Sequence, residues 1–201
     1  DIIYKLNEVE MPRYLSILYA CVVADLNLKQ GNYKNAIPYL EIAVEEERDK
    51  YQRARFSYIL AQLYKESGEK EKAQEFFERV IKMHPNYEMQ FNAKIESAEV
   101  SNGENSDDML KDLQKMAKDD KNKDYLDRIH YAIANIYKQQ GNEEKAIENY
   151  KLAVEKSTRN GYEKAAALCV LGDMLYDKKE YAEAQVYYEE AEMISDANYK
   201  N

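Results

Sequence analysis

The sequence predicts an all-α protein made of about five antiparallel helix hairpins that follow one another along the chain. Three observations lead to this prediction. The 201 residues are 45% hydrophobic and 33% charged and include only 6 Gly and 3 Pro, fewer turn residues than a β-sandwich requires. A short segment with alanine at its start and an aromatic residue or leucine four residues later recurs at a regular spacing. A second apolar, helix-like segment precedes each copy, and such a period is typical of repeat arrays.

The recurring segment is visible at four alanines, Ala36, Ala73, Ala146 and Ala184, where the chain reads AIPYLEIA, AQEFFERV, AIENYKLA and AQVYYEEA. The first two alanines are 37 residues apart and the last two are 38 apart. A degenerate copy begins at Leu110, which is 37 residues after one neighbour and 36 before the other. The spacing therefore predicts five repeats, at residues 17–50, 54–87, 91–124, 127–160 and 165–198.

Residues outside and between these repeats are assigned from their composition. Residues 1–16 are apolar enough to be helical and are predicted to be the end of an earlier helical repeat, and residues 199–201 form a tail. The third repeat is the least regular, because Gln114 replaces the aromatic residue, and the polar tract 101–108 is predicted to be a long turn between its two helices.

The turns within the repeats carry residues that suit helix ends. Gly31, Gly68 and Gly141 are predicted to end the first helix of a hairpin, where a left-handed residue is favoured. Asn32 and Asn142 follow two of these glycines and are predicted to cap the next helix.

Motifs of catalysis and of cofactor binding are not found, so the sequence predicts a protein that is not an enzyme and has no cofactor or metal. The segment Asp120–Asp124 resembles the opening of a calcium loop, but Tyr125 stands where that loop needs Gly, and a helix-capping turn is predicted instead. Cys21 and Cys169 are 148 residues apart and are predicted to be free, partly buried thiols. The net charge of −9 makes nucleic acid an unexpected partner, and no apolar run is long enough to span a membrane.

The repeated segments resemble the tetratricopeptide repeat (TPR), whose pattern combines a large residue, Leu, a small residue and Tyr with a later Ala, aromatic, Ala and Pro. The second repeat fits best, at Leu60, Ala61, Tyr64, Ala73, Phe77, Val80 and Pro85. This resemblance implies a right-handed superhelical solenoid that binds a protein or peptide partner in a concave groove. Four of the 19 tyrosines, at positions 64, 137, 150 and 188, are expected to pack between helices.

In TPR proteins the groove is lined by the second, fifth, ninth and twelfth residues of the first helix of each repeat. Applied to this sequence, that rule gives Arg55, Tyr58, Gln62 and Lys65 from the second repeat, Asn92, Ile95, Glu99 and Asn102 from the third, and Arg128, Tyr131, Asn135 and Lys138 from the fourth. Two basic and aromatic quartets thus flank a mixed one, and we expect them to bind an acidic segment. The outer repeats contribute Cys21, Asp25, Cys169, Asp173 and Tyr176.

A closer resemblance is to the TPR lipoproteins of Bacteroidota that are associated with type IX secretion and gliding motility, the PorW/SprE group. It is carried by residues 53–95, 115–157 and 171–191, including the segments Asn86-Tyr87-Glu88 and Asp119–Asp127, which the repeat pattern does not demand. The resemblance implies a periplasmic scaffold that is anchored to the outer membrane by a lipid outside this sequence. Two alternatives stay open: a glycan- or peptidoglycan-binding lipoprotein module that uses exposed tyrosines, and a regulatory TPR domain of a larger enzyme.

Overall fold

Helix hairpins make up the chain, as the repeat spacing predicts. A computed structural model describes residues 12–101, 106–158 and 161–199, and among them it contains α-helices and one 3₁₀-helix but no strand. The helices are α1 (Arg13–Lys29), α2 (Tyr33–Glu46), α3 (Lys50–Glu66), α4 (Lys70–Lys82), α5 (Tyr87–Val100), α6 (Ser106–Ala117), α7 (Leu126–Gln139), α8 (Glu143–Lys156), α9 (Tyr162–Asp177) and α10 (Tyr181–Tyr199), with the 3₁₀-helix at Asp120–Tyr125. The prediction of an all-α fold built from hairpins is therefore confirmed.

The chain forms two compact units, residues 1–100 and 101–201. In the first unit α1 pairs with α2 and α3 with α4, while α5 packs on α4. Its core is built from the small and aromatic residues that recur in each repeat. The small Ala36, Ala61 and Ala73 let the helices approach closely, and the rings of Tyr64 and Phe77 fill the space between them.

In the second unit α7 pairs with α8 and α9 with α10, while α6 and the 3₁₀-helix pack against α7. Asn122 of the 3₁₀-helix is buried and donates a hydrogen bond from Nδ2 to the carbonyl oxygen of Met116, at 2.8 Å. Asp119 caps the 3₁₀-helix by accepting a hydrogen bond from the N–H of Lys121, at 3.1 Å. The prediction of a capping turn in place of a calcium loop is confirmed.

Four of the hairpin turns share one backbone geometry. Gly31, Gly68 and Gly141 have φ values of 72°, 82° and 72°, and each takes part in a Schellman pair of hydrogen bonds, as in Gly31 N–H to Leu28 and Asn32 N–H to Asn27. The prediction that these glycines end helices is confirmed. Lys179 occupies the same place in the last hairpin with φ of 64°, and a side chain at such an angle is strained.

The capping prediction holds for one asparagine and fails for the other. Asn142 accepts a hydrogen bond from the N–H of Lys145 at 3.2 Å. The side chain of Asn32 makes no capping bond, and its Nδ2 group donates a hydrogen bond to Oε1 of Gln30 at 3.2 Å.

Several boundaries differ from those that the spacing gave. Helix α1 begins at Arg13, four residues before residue 17, and the predicted helical segment before residue 12 lies outside the described residues. Helix α6 begins at Ser106, so residues 106–108 form its first turn and do not belong to a turn at 101–108. The division between the two units falls inside the predicted third repeat, residues 91–124.

The two cysteines are free, as predicted, but only Cys21 is partly buried. Cys169 is exposed, because it lies on the outward side of α9. Within the described ranges, no helix combines the length and the apolar composition that a membrane span requires.

Candidate functional site

The predicted quartet on α3 is tied to α5 by a network of polar contacts. Glu96 of α5 accepts hydrogen bonds from the hydroxyl of Tyr58 at 3.0 Å and from the amide of Gln62 at 3.3 Å, both through Oε1. Its other oxygen lies 3.1 Å from Nζ of Lys65, and Nζ also lies 2.6 Å from Oε2 of Glu99. We call these five residues the α3/α5 cluster.

The electrostatics of this cluster differ from the sequence expectation of a basic surface. Burial lowers the pKa of Lys65, but hydrogen bonds and charges from Glu99 and Glu96 outweigh it and raise the pKa overall. The single cation Lys65 therefore pairs with two carboxylates, Glu96 and Glu99, so the cluster carries no net positive charge. Arg55, the other cation of this quartet, is exposed, and its guanidinium lies 3.4 Å from the side-chain oxygen of Gln52.

The residues that the groove rule selected on α5 do not form one surface. Glu99 joins the α3/α5 cluster, and Asn92 is half-buried. Ile95 is buried, so the expectation that it lines a groove is wrong, since at its register α5 faces the core of the first unit. Asn102 lies outside the described residues.

The quartet on α7, which we call the α7 face, is ordered by contacts with α8. The ring of Tyr131 meets the ring of Tyr150 edge to face, with centroids 5.6 Å apart. The hydroxyl of Tyr150, which is buried, donates a 2.6 Å hydrogen bond to Oδ1 of Asn135. Burial raises the pKa of Tyr150 well above its ordinary value, and the neighbouring Tyr131 adds to the shift. Tyr150 therefore fixes two neighbouring members of the α7 face.

The two cations of the α7 face have different surroundings. Nε of Arg128 lies 3.8 Å from Oε1 of Glu163 on α9, near the 4 Å limit for an ion pair. Lys138 is exposed and makes no ion pair with a described residue. Arg128, Tyr131 and Lys138 thus combine two cations and an aromatic ring on one helix, which suits an acidic partner.

The outer residues of the second unit lie on α9 and are shaped by α10. The hydroxyl of Tyr188 donates a 2.7 Å hydrogen bond to Oδ1 of Asp173. The ring of Tyr188 lies against Gly172, where a β-carbon would come within 2.8 Å of three of its atoms. Tyr176 is exposed. Of the four tyrosines expected to pack between helices, positions 64, 137 and 150 are buried, but Tyr188 is 37% exposed because no described helix covers that side of α10.

Sequence reasoning missed Glu96, which organises the α3/α5 cluster. The groove rule considers one helix at a time, and Glu96 lies at a position that the rule skips. A signal was present, because Glu96 and Glu99 are three residues apart and so share a helix face. No group of three or more histidines, cysteines and carboxylates in the described part of the chain is arranged to hold a metal ion.

Comparisons with known proteins identify the repeats. Two family models, both described as tetratricopeptide repeat, match residues 27–94 and 125–195. Among curated protein sequences there is no match.

Solved structures of similar fold include MamA (41-end) from Desulfovibrio magneticus RS-1, at 18% identity and a TM-score of 0.65, covering 90% of this chain and 96% of that one. The apo form of RapI has 17% identity and a TM-score of 0.67, covering 97% of this chain and 59% of that one. A putative kinesin light chain from Podospora anserina with TPR-like repeats has 19% identity and a TM-score of 0.59, covering 96% of this chain and 100% of that one. At these identities the likenesses show the fold alone.

Proposed function

We propose that the chain, which is a tetratricopeptide repeat protein, acts as a non-enzymatic scaffold that binds a protein partner. One observation carries the proposal: on α7, Arg128, Tyr131 and Lys138 present two cations and a ring that Tyr150 holds in place from α8. A surface that is ordered before binding loses little conformational freedom when a partner docks.

The partner is proposed to present an acidic segment to the α7 face. The α3/α5 cluster is a weaker candidate for such a segment, because Glu96 and Glu99 already compensate Lys65 and would repel further carboxylates. Lys138, by contrast, is exposed and makes no ion pair with a described residue. A carboxylate of the partner would gain a charge-assisted hydrogen bond there.

The test is a charge reversal on the α7 face, Arg128→Glu with Lys138→Glu. Partners are captured from the cell envelope with the unaltered chain, identified by mass spectrometry, and compared with those captured by the variant. Capture of a specific partner is expected to fall several-fold, and to weaken for the unaltered chain as salt rises, because charge interactions are screened beyond about 8 Å at physiological ionic strength.

The matched control is Lys111→Glu with Lys123→Glu, which changes the net charge equally. These lysines are highly exposed and pair only with Asp108 and Asp120 on their own helices. The control is expected to retain the partner. Equal capture by the α7 variant at low salt, or equal loss in the control, would show that the α7 face does not bind it.

We further propose that the scaffold works in the periplasm, as part of a lipoprotein of the type IX secretion or gliding machinery. Support comes from the resemblance of residues 53–95, 115–157 and 171–191 to the PorW/SprE group. Cell fractionation of the full-length protein, with labelling of lipid-modified cysteines, tests the location. A full-length protein that is cytosolic and carries no lipid would refute this location and leave the scaffold proposal in place.

A further inference from the structure

We propose that the last hairpin, α9/α10, carries a second binding site, which accepts the cationic side chain of a lysine or arginine from a partner protein. This site goes beyond the proposed function, because its residues, 176–192, do not include Arg128 or Lys138. It is also proposed to bind a cation, whereas the α7 face is proposed to bind an acidic segment. The two proposals are therefore tested by separate experiments, and one can be refuted while the other stands.

The site is an open cavity of about 280 Å³ at the turn between α9 and α10. Three tyrosines line it, Tyr176, Tyr181 and Tyr188, together with Gln185, Glu189 and Glu192 of α10. The rings of Tyr176 and Tyr181 meet edge to face, with centroids 5.2 Å apart, and more than half of each side chain is exposed. Ring faces beside carboxylates are the surroundings that ammonium and guanidinium groups favour.

Tyr188 is held at the cavity by α9. Its ring occupies the space that a side chain at position 172 would fill, and its hydroxyl is bound to Asp173. This anchoring leaves the ring in one place before a ligand arrives, so a cation would meet a prepared surface.

The chain already uses cations over tyrosine rings in its other hairpins. Nζ of Lys72 lies 4.9 Å from the centroid of the Tyr64 ring, and Nζ of Lys145 lies 5.2 Å from that of Tyr137. These two pairs occupy equivalent repeat positions, which in the last hairpin are filled by Glu183 and Leu175. In the last hairpin, therefore, a carboxylate, Glu183, stands where the other two hairpins have a lysine. Its exposed tyrosines, Tyr176 and Tyr181, lie at the cavity.

The carboxylates of the cavity lie at positions that elsewhere contact the following hairpin. Glu41 of α2 is equivalent to Glu189 and accepts a hydrogen bond from the hydroxyl of Tyr64 on α3. Lys151 of α8, also equivalent, pairs with Glu183 of α10 at 3.2 Å. On α10, Glu189 accepts only the amide of Gln185, at 2.7 Å, among the contacts of the described residues. This position is therefore one at which helices dock in this fold.

The chemistry of the α10 surface selects a basic partner over an apolar one. The position equivalent to Glu192 is apolar in all three earlier hairpins, where it holds Val44, Ile81 or Val154. The position equivalent to Gln185 holds Ile37 or Ile147 in two of them and Gln74 in the third. Residues 176–192 contain six carboxylates and two lysines. Glu192 makes no ion pair with any described residue, so an incoming cation would meet an uncompensated charge.

The test uses the chain itself with butylguanidinium chloride as the probe and butylurea, which has the same shape without the charge, as the control ligand. Ring signals of the tyrosines are followed by NMR on protein with labelled tyrosine. Butylguanidinium is expected to shift the signals of Tyr176 and Tyr181 in a saturable manner in the millimolar range, and butylurea is expected to cause little change. Equal shifts with both ligands, or none with either, would overturn the proposal.

Two variants locate the site. Tyr181→Leu is expected to weaken butylguanidinium binding by roughly twofold to fivefold, the size of one exposed cation–π contact. Its matched control is Tyr33→Leu, at the equivalent first position of α2, where the exposed ring has no aromatic partner among the described contacts. Glu192→Gln is expected to weaken binding and reduce its dependence on salt. Unchanged affinity in both Tyr181→Leu and Glu192→Gln would refute the site, and circular dichroism checks that each variant stays folded.

Discussion

Replacing Gly172 with alanine is predicted to destabilise the last hairpin, because the Tyr188 ring occupies the space that the new methyl group needs. A β-carbon at position 172 would lie 2.6 Å from Cε1 of that ring and 2.8 Å from two further ring atoms. Carbon atoms pack at about 3.5–4.0 Å, so the ring must retreat by about 1 Å. That movement takes the hydroxyl away from Asp173, to which it now donates at 2.7 Å.

The expected magnitude combines three terms. Alanine favours the helix by about 1 kcal/mol over glycine. Overpacking costs about 1–3 kcal/mol, and the weakened hydrogen bond costs about 1 kcal/mol. The net result is a loss of about 1–3 kcal/mol in the free energy of unfolding, in spite of the higher helix propensity of alanine.

A double-mutant cycle with Tyr188→Leu separates the clash from the helix term. In the leucine background the ring is gone, so Gly172→Ala should stabilise α9, and the coupling between the two positions should be about 2–4 kcal/mol. Urea denaturation followed by circular dichroism gives the four free energies, and hydrogen exchange of the α9 amides localises the change. If Gly172→Ala had the same effect in both backgrounds, the close contact would not control the stability of this hairpin.

Three further predictions concern other positions. Lys179→Gly should raise the free energy of unfolding by about 1 kcal/mol in urea denaturation, because Lys179 has φ of 64° and glycine adopts this conformation without strain; no gain would mean that the turn relaxes at no cost. Asp173→Asn should lower the pKa of Tyr188 in an absorbance titration, because the hydrogen bond to Asp173, followed by burial, raises that pKa from 10.0 to about 12. Since the folded chain binds the hydroxyl proton of Tyr188 more tightly than the unfolded chain does, the stability that this group contributes is fully present below pH 10 and is lost as the pH rises towards 12. An unchanged pKa in Asp173→Asn would show that the hydrogen bond to Asp173 does not cause the shift. Lys65→Met should lower the free energy of unfolding by about 1–2 kcal/mol in urea denaturation, because it leaves Glu96 and its neighbouring carboxylate uncompensated, whereas Lys65→Arg, which keeps the charge, should cost less; equal costs for the two variants would contradict the electrostatic explanation.

The fold could be predicted from the sequence because its information is local and repeated. Ala36, Ala73, Ala146 and Ala184 are all buried at equivalent points of α2, α4, α8 and α10. Helix periodicity and close-packing small residues act within one hairpin, so spacing alone reveals them. The exact bounds of α1 and α6 could not be read in this way, since the helix starts at Arg13 and Ser106 depend on residues outside the repeated pattern.

The candidate site was predicted less well, because it depends on pairs of residues that are distant in the sequence. The rule placed Lys65 on a basic surface, but the carboxylates that compensate it lie on α5, more than thirty residues away. In the same way, nothing in the sequence around Asn135 indicates that the hydroxyl of Tyr150 binds it. Position on one helix predicts which residues share a face, whereas the charge of that face depends on the neighbouring helix.

Residues at one repeat position also change their role with their place in the chain. Tyr150 and Tyr188 occupy the same position, yet Tyr150 is fully buried and Tyr188 is 37% exposed. Leu26 of α1 is 47% exposed, while the equivalent Leu63 of α3 is 6% exposed. The difference arises because a neighbouring hairpin, and not the residue's own hairpin, covers these positions. The pattern that builds the core thus also builds surfaces suited to docking wherever a described neighbour is absent. On α10, Glu192 stands where the earlier hairpins have Val44, Ile81 or Val154, and together with Glu189 it gives that surface its preference for a cation.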